Sequence, residues 1–215
     1  MKGDIIQIEQ SSYQIADEII GQILPEILSN NNVYCISVAG ESGSGKSVTA
    51  FALHESLGKK NVKSIVIQQD DYFFLPPKTN ELNRRKSLTN VGPKEEVNLE
   101  LIDEQLQQIK QGYTAITKPL VHFNENKIEL ETISVEGIKV LIIEGTYTSL
   151  LKNIDKRIFI DRDFNSTIMS IKKRARDVVD SFLLDVLQIE HNIISKHKQL
   201  CTIIVKEGFT VEFLN

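Results

Sequence analysis

Gly40-Glu41-Ser42-Gly43-Ser44-Gly45-Lys46-Ser47 fits the spacing G-x-x-x-x-G-K-[ST]. Each position suits a phosphate cradle. A glycine at 40 lets the chain turn sharply out of a strand. The small residues at 42–45 let backbone N–H groups converge on a ring that phosphate oxygens fill. Lys46 reaches over that ring toward the outer phosphates of a nucleotide, and the Ser47 hydroxyl stands where Mg2+ binds. Glu41 completes the loop. Val48 lies in the first turn of the helix behind it, whose positive end faces the anion. The competing explanation is a chance Gly/Ser turn. The context opposes it, because "VYCISVA" (33–39) precedes the loop and an amphipathic helix over 46–57 follows.

Further along, "QQDDYFF" (68–74) follows the strand-like "SIVIQ" (64–68). An aspartate at the carboxyl end of a strand beside the glycine loop lies near the last phosphate. It can accept the proton of an attacking hydroxyl. An Asp-Asp pair also favours a plain turn. Phe73 and Phe74 suit stacking on an acceptor ring or packing the loop down. Glu144 ends the apolar run "KVLIIEG" (139–145) and sits at the rim of a sheet, where ligands of such sheets bind. His122 closes a run that contains Pro119, and it belongs to no His/Asp or Cys/His set. Lys172, Lys173, Arg174 and Arg176 form a basic run on a predicted helix.

These residues need a frame. Ile15, Ile19, Ile23 and Ile27 recur every four residues and predict a helix over 14–29 that tolerates Pro25. Leu99, Ile102, Leu106 and Ile109 predict a second helix over 99–110. Apolar runs at 64–68, 139–145, 156–161, 201–205 and 209–213 predict strands, and a helical region covers about 165–198. Strands alternating with helices predict a three-layer α/β/α domain of the phosphate-loop NTPase type, with a mostly parallel sheet. Residues 72–95 are polar and contain three prolines, which predicts a functional loop on the substrate side of a single domain, 1–215.

The bulk numbers bound the partners. The chain has 215 residues and a net charge of −4, with a pI near 5.7. That balance does not favour nucleic acid. The longest apolar runs are too short to span a bilayer, and no signal-peptide core opens the chain. Two isolated cysteines give neither a zinc ribbon nor a disulfide framework, so a cytoplasmic setting is expected.

Taken together, "GESGSGKS", "QQDDYF", "IIEGTY" (142–147) and "KKRARD" (172–177) resemble motifs of the uridine kinase/phosphoribulokinase family of small-molecule kinases. Nicotinamide riboside kinases and bacterial pantothenate kinases lie nearby. The likeness spreads over about residues 33–205. It implies ATP and Mg2+ as cofactors and transfer of the γ-phosphate to a hydroxyl of a small metabolite. By this resemblance Asp70 is the general base, with Asp71 in reserve, and Glu144 supports Mg2+ together with Ser47 and Asp70. Lys173, Arg174 and Arg176 belong to a lid that closes on the phosphates within about 165–190. Asp70, Phe73 and His122 face the acceptor.

The departures fall on the acceptor side. Val91 stands where uridine kinases carry an aspartate for ribose hydroxyls, Asn126 stands near the place of a base-reading histidine, and Ser181-Phe182-Leu183 replaces R-G-R. Lys173 replaces an arginine and lacks its planar fork. The reading is an ATP-dependent kinase whose partners are ATP and a small hydroxyl acceptor, with self-association open and neither nucleic acid nor membrane. The alternative is a nucleotide-binding regulatory protein derived from such a kinase.

Overall fold

A computed structural model describes residues 8–168 and 180–214. The run ahead of the glycine loop is β1 (Tyr34–Gly40), buried along its whole length. Its side chains alternate between two apolar layers. Tyr34, Ile36 and Val38 enter one, and Cys35 and Ala39 the other. A strand covered on both faces requires this. The other strands are β2 (Ser64–Gln68), β3 (Ala115–His122), β4 (Lys127–Ser134), β5 (Val140–Glu144), β6 (Lys156–Asp161), β7 (Ile203–Lys206) and β8 (Val211–Phe213).

The main sheet runs β2-β5-β1-β6-β7-β8. Every pairing is parallel except β7 with the edge strand β8. Helices α1 (Gln10–Ser29) and α2 (Lys46–Lys59) cover one face through Ile19, Ile23, Leu53 and Leu57. Helices α5 (Leu99–Lys110) and α6 (Ser181–Ile194) cover the other through Ile102, Leu106 and Ile194. The expected three-layer arrangement with a mostly parallel sheet is the observed one. α1 begins four residues before the isoleucine stripe suggested and continues through Pro25. Among the described residues no helix is long and apolar enough to cross a membrane.

Two features differ from expectation. Residues 72–95 are not simply a loop, since they hold α3 (Pro77–Lys86) and the single turn α4 (Pro93–Glu96). Each starts at a proline, whose missing N–H costs nothing in a first turn. α3 has no apolar stripe; its inward side chains are polar, Asn80 and Arg84, and both bond Glu96. The second feature is a hairpin of β3 and β4, paired in antiparallel register from Ala115↔Ser134 to His122↔Lys127.

Register then assembles the site. Glu144 pairs with Val38 on one side and Gln68 on the other. The carboxyl ends of β1, β2 and β5 therefore lie side by side, which brings the glycine loop, the Asp70 turn and Glu144 to one edge of the sheet.

Candidate active site

The glycine loop joins β1 to α2. Gly40 has φ +150°, and a Cβ there would lie 2.8 Å from the Ile160 carbonyl oxygen and 2.9 Å from Ser44 Oγ. Only glycine fits that turn against β6. Lys46 Nζ donates to the Glu41 carbonyl at 2.9 Å, folding the lysine back across the loop. Ser44 Oγ is buried and bonds nothing among the described residues. A buried hydroxyl without a partner and a lysine arched over a ring of small residues are what a phosphate group completes.

The Glu41 side chain points away from that ring. Its Oε2 accepts the Phe164 N–H at 2.8 Å, and its Oε1 lies 2.7 Å from His191 Nδ1. Thr167 Oγ1 donates to the Ser42 carbonyl at 3.0 Å. Glu41 thus braces the loop against the start of the helical stretch at 164–168 and against α6.

Asp70 and Asp71 separate cleanly. Both sit in a 3-10 turn, Gln69–Tyr72, directly after β2. Asp71 is buried; its carboxylate takes the Lys118 ammonium at 2.8 Å and the Val121 N–H at 3.0 Å. Asp70 is half-buried and faces a cavity with Lys46, Ser47 and Glu144. Glu144 is fully enclosed. Burial pushes its carboxyl above the usual range and the Asp70 charge pushes it further, while Lys46, Gln68 and Ser47 act in the opposite direction. Two carboxylates and a hydroxyl give a hard oxygen set, which suits Mg2+. The sequence-predicted residues Lys46, Ser47, Asp70, Phe73 and Glu144 therefore meet around one space.

That space has a volume of about 240 Å3. Its lining also includes residues that sequence spacing left unassigned: Asn80, Glu81, Arg84 and Arg85 of α3, and Glu190 of α6. Arg84 makes a fork on Glu96, through Nε to Oε1 and Nη2 to Oε2, and Nη2 also reaches Glu190 Oε1 at 3.2 Å. Burial works against the Arg84 charge, but Glu190 and Glu96 outweigh it and hold the guanidinium firmly protonated. Glu190 Oε2 accepts from Ser42 Oγ at 3.1 Å, so one carboxylate links the glycine loop to α3. Burial pushes the Glu190 carboxyl up against the pull of Arg84. The Arg85 guanidinium lies 4.3 Å from the Phe182 ring centre. Phe182 and Leu183, where the resemblance expected R-G-R, do line the cavity.

His122 does not join this wall. Its Nε2 lies 3.1 Å from Glu129 Oε2, without hydrogen-bonding orientation, inside the hairpin. Asn126 caps the start of α3 by accepting the Lys78 N–H at 2.8 Å. Val91 is buried outside the cavity lining. Lys172, Lys173, Arg174 and Arg176 lie outside the described residues.

Known proteins resemble this chain in sequence and in fold. The model of the phosphoribulokinase / uridine kinase family matches residues 35–181. A uridine kinase of Clostridium novyi is 30% identical over 185 residues, covering 80% of this chain and 86% of that protein. A bifunctional alpha-galactosidase/sucrose kinase of Mediterraneibacter gnavus is 27% identical over 84% of this chain but only 21% of its own length. Among solved structures, one described as a possible uridine kinase from Bacillus stearothermophilus superposes with a TM-score of 0.63 at 16% identity, covering 89% of this chain and 97% of that one. One described as a candidate fructose transport system kinase from a Silicibacter species gives 0.61 at 19% identity, over 86% and 93%.

Proposed function

The chain belongs to the phosphoribulokinase/uridine kinase family of ATP- and Mg2+-dependent small-molecule kinases, and we propose that Asp70 carries its phosphoryl transfer to a hydroxyl of the acceptor. One observation carries this reading. Asp70 faces the same cavity as Lys46, Ser47 and Glu144, and side chains of α3 line that cavity too. In it, the loop 40–47 binds the β- and γ-phosphates through backbone N–H groups and Lys46. Ser47 and Glu144, with Asp70 beside them, would hold Mg2+, which would neutralise phosphate charge. Asp70 orients the acceptor hydroxyl and takes its proton. Lys173, Arg174 and Arg176 supply further positive charge to the phosphates. Catalysis of this kind is positioning plus electrostatics.

The names of the relatives span uridine, sucrose and fructose, so family membership alone does not fix the acceptor. The regulatory alternative has no observation in its favour. We assign 1–215 to one kinase domain that needs neither nucleic acid nor membrane and works in the cytoplasm. Cys35 and Cys201 support that setting, since both are buried free thiols that burial pushes up to about 12.

The test is ADP release from Mg-ATP across a panel of nucleosides, sugars, pantothenate and sugar phosphates, with Lys46→Ala as the blank. An acceptor that raises the wild-type rate well above the blank supports the reading. A flat panel with ATP still bound refutes it.

A further inference from the structure

The α3 lining of the cavity has a definite chemistry. Asn80, Glu81, Arg84 and Arg85 fall at i, i+1, i+4 and i+5 of α3, which puts them on one face of the helix. Their polar atoms are only partly used. Arg84 spends Nε and Nη2 on Glu96 and Glu190, and its Nη1 makes no hydrogen bond among the described residues. Glu81 takes both Arg85 donors on Oε1, at 3.0 and 2.9 Å, which leaves Oε2 open. Asn80 donates to Glu96 through Nδ2 at 2.8 Å and keeps Oδ1. The open set is therefore guanidinium donors interleaved with carboxylate and amide acceptors.

The charge balance selects among ligands. Two guanidiniums on this wall meet four carboxylates. Arg84 faces Glu96 and Glu190, and Arg85 faces Glu81 and Asp180. A phosphate or carboxylate on the acceptor would add negative charge where acids already outnumber cations. A hydroxyl both donates and accepts, so one hydroxyl serves a carboxylate and a guanidinium together. Phe73, Phe123 and Phe182 also line the space and offer apolar surface to the C–H face of a ring. The volume, about 240 Å3, lies below the 300–1,000 Å3 or so of ordinary drug-sized sites and must also admit the transferred phosphoryl group. It has room for one ring.

We propose that the acceptor is an uncharged monosaccharide, read by the Asn80-Glu81-Arg84-Arg85 face of α3. This rests on the kinase reading for the identity of the site, while its test does not depend on turnover.

The test is calorimetric titration of the protein, with Mg2+ and a non-hydrolysable ATP analogue, against D-fructose, D-glucose and D-ribose. Their phosphate esters and uridine are titrated in parallel. At least one free sugar binds, and its phosphate ester binds at least about tenfold more weakly. Glu81→Gln weakens that sugar about tenfold, the size of one net hydrogen bond, and leaves affinity for the ATP analogue unchanged. The Glu81 side chain is 55% exposed, so the variant should fold. Arg84→Lys, which keeps the charge and loses the fork, weakens the same sugar as well. The proposal falls if none of the three sugars binds, if an ester or uridine binds more tightly than every free sugar, or if Glu81→Gln leaves sugar affinity intact. Sugar binding without ADP formation would retain this inference and sink the kinase reading. ADP formation with a nucleoside or anionic acceptor alone would do the reverse.

Discussion

Asp70 and Asp71 are neighbours in sequence with opposite surroundings, so asparagine at each position separates chemistry from folding. Asp71 sits in a dry network. Its side chain is 4% exposed and that of Lys118 is 6%. The ammonium also reaches Glu131 at 2.9 Å and the Pro119 carbonyl at 2.8 Å. Asp71→Asn leaves Lys118 buried with one carboxylate, Glu131, that is itself about one-third exposed. Breaking a buried ion pair costs about 3–5 kcal/mol. Asparagine can still accept the Val121 N–H, which puts the loss near the lower end. A chain of this length loses about 2–4 °C of Tm per kcal/mol, so Tm should drop by about 6–12 °C. Asp70 makes no hydrogen bond among the described residues, and its charge raises the Glu144 carboxyl. Asp70→Asn removes that repulsion and should leave Tm unchanged or slightly higher. Loss of a general base lowers kcat by about 100- to 10,000-fold. The assays are thermal unfolding followed by circular dichroism, and ADP release at saturating ATP and acceptor. Equal Tm values for the two variants would refute the burial argument. Full kcat in Asp70→Asn would remove its role as base.

Two further outcomes follow from local geometry. Gly145→Ala places a Cβ 2.3 Å from Gln69 Cβ at φ +158°; it should lower Tm by several degrees and disturb the Asp70 turn, and a variant that unfolds like wild type would contradict the close approach. Burial lowers the pKa of His197 below its ordinary 6.5, so the unfolded chain takes up a proton that the folded chain refuses. Stability linked to this group is therefore full above pH 6.5 and falls as pH drops toward the folded pKa, by at most about 1.4 kcal/mol per pH unit. Urea midpoints of wild type and His197→Leu should diverge in the variant's favour between about pH 7 and pH 5, and parallel curves would rule the effect out.

What could be read from the sequence was whatever local pattern determines. β1, the glycine loop and α2 announce themselves because an apolar strand, close-set small residues and a lysine at fixed spacing suffice to specify them. Glu144 was legible because it ends an apolar run. The resemblance already put Asp70 ahead of Asp71, but the physical reason needed the structure, since only the third dimension brings Lys118, 47 residues away, onto Asp71. α3 was hidden for a physical reason. It buries no apolar stripe and is anchored by Arg84, which bonds Glu96 twelve residues on and Glu190 another 94 beyond that. Periodicity cannot show a helix held by distant ion pairs. β4 was missed because its alternation breaks after Leu130, its residues are largely exposed and Leu130 itself is 75% exposed.

The same long-range bonds bear on how acceptor and nucleotide communicate. Glu190 accepts from Ser42 in the glycine loop and from Arg84 in α3, and His191, the next residue, meets Glu41 of that loop. α6 therefore grips the loop at two adjacent positions while touching the acceptor wall at one of them. A shift of α6 large enough to open the acceptor wall must also pull on the loop, because Glu190 cannot leave Arg84 without leaving one buried charge less well paired. With the acceptor placed on α3 as proposed, Glu190 links that side of the cavity to the phosphate loop through two hydrogen bonds. The fold achieves this with a glutamate whose significance is invisible in its sequence neighbourhood, "LQIEHNII".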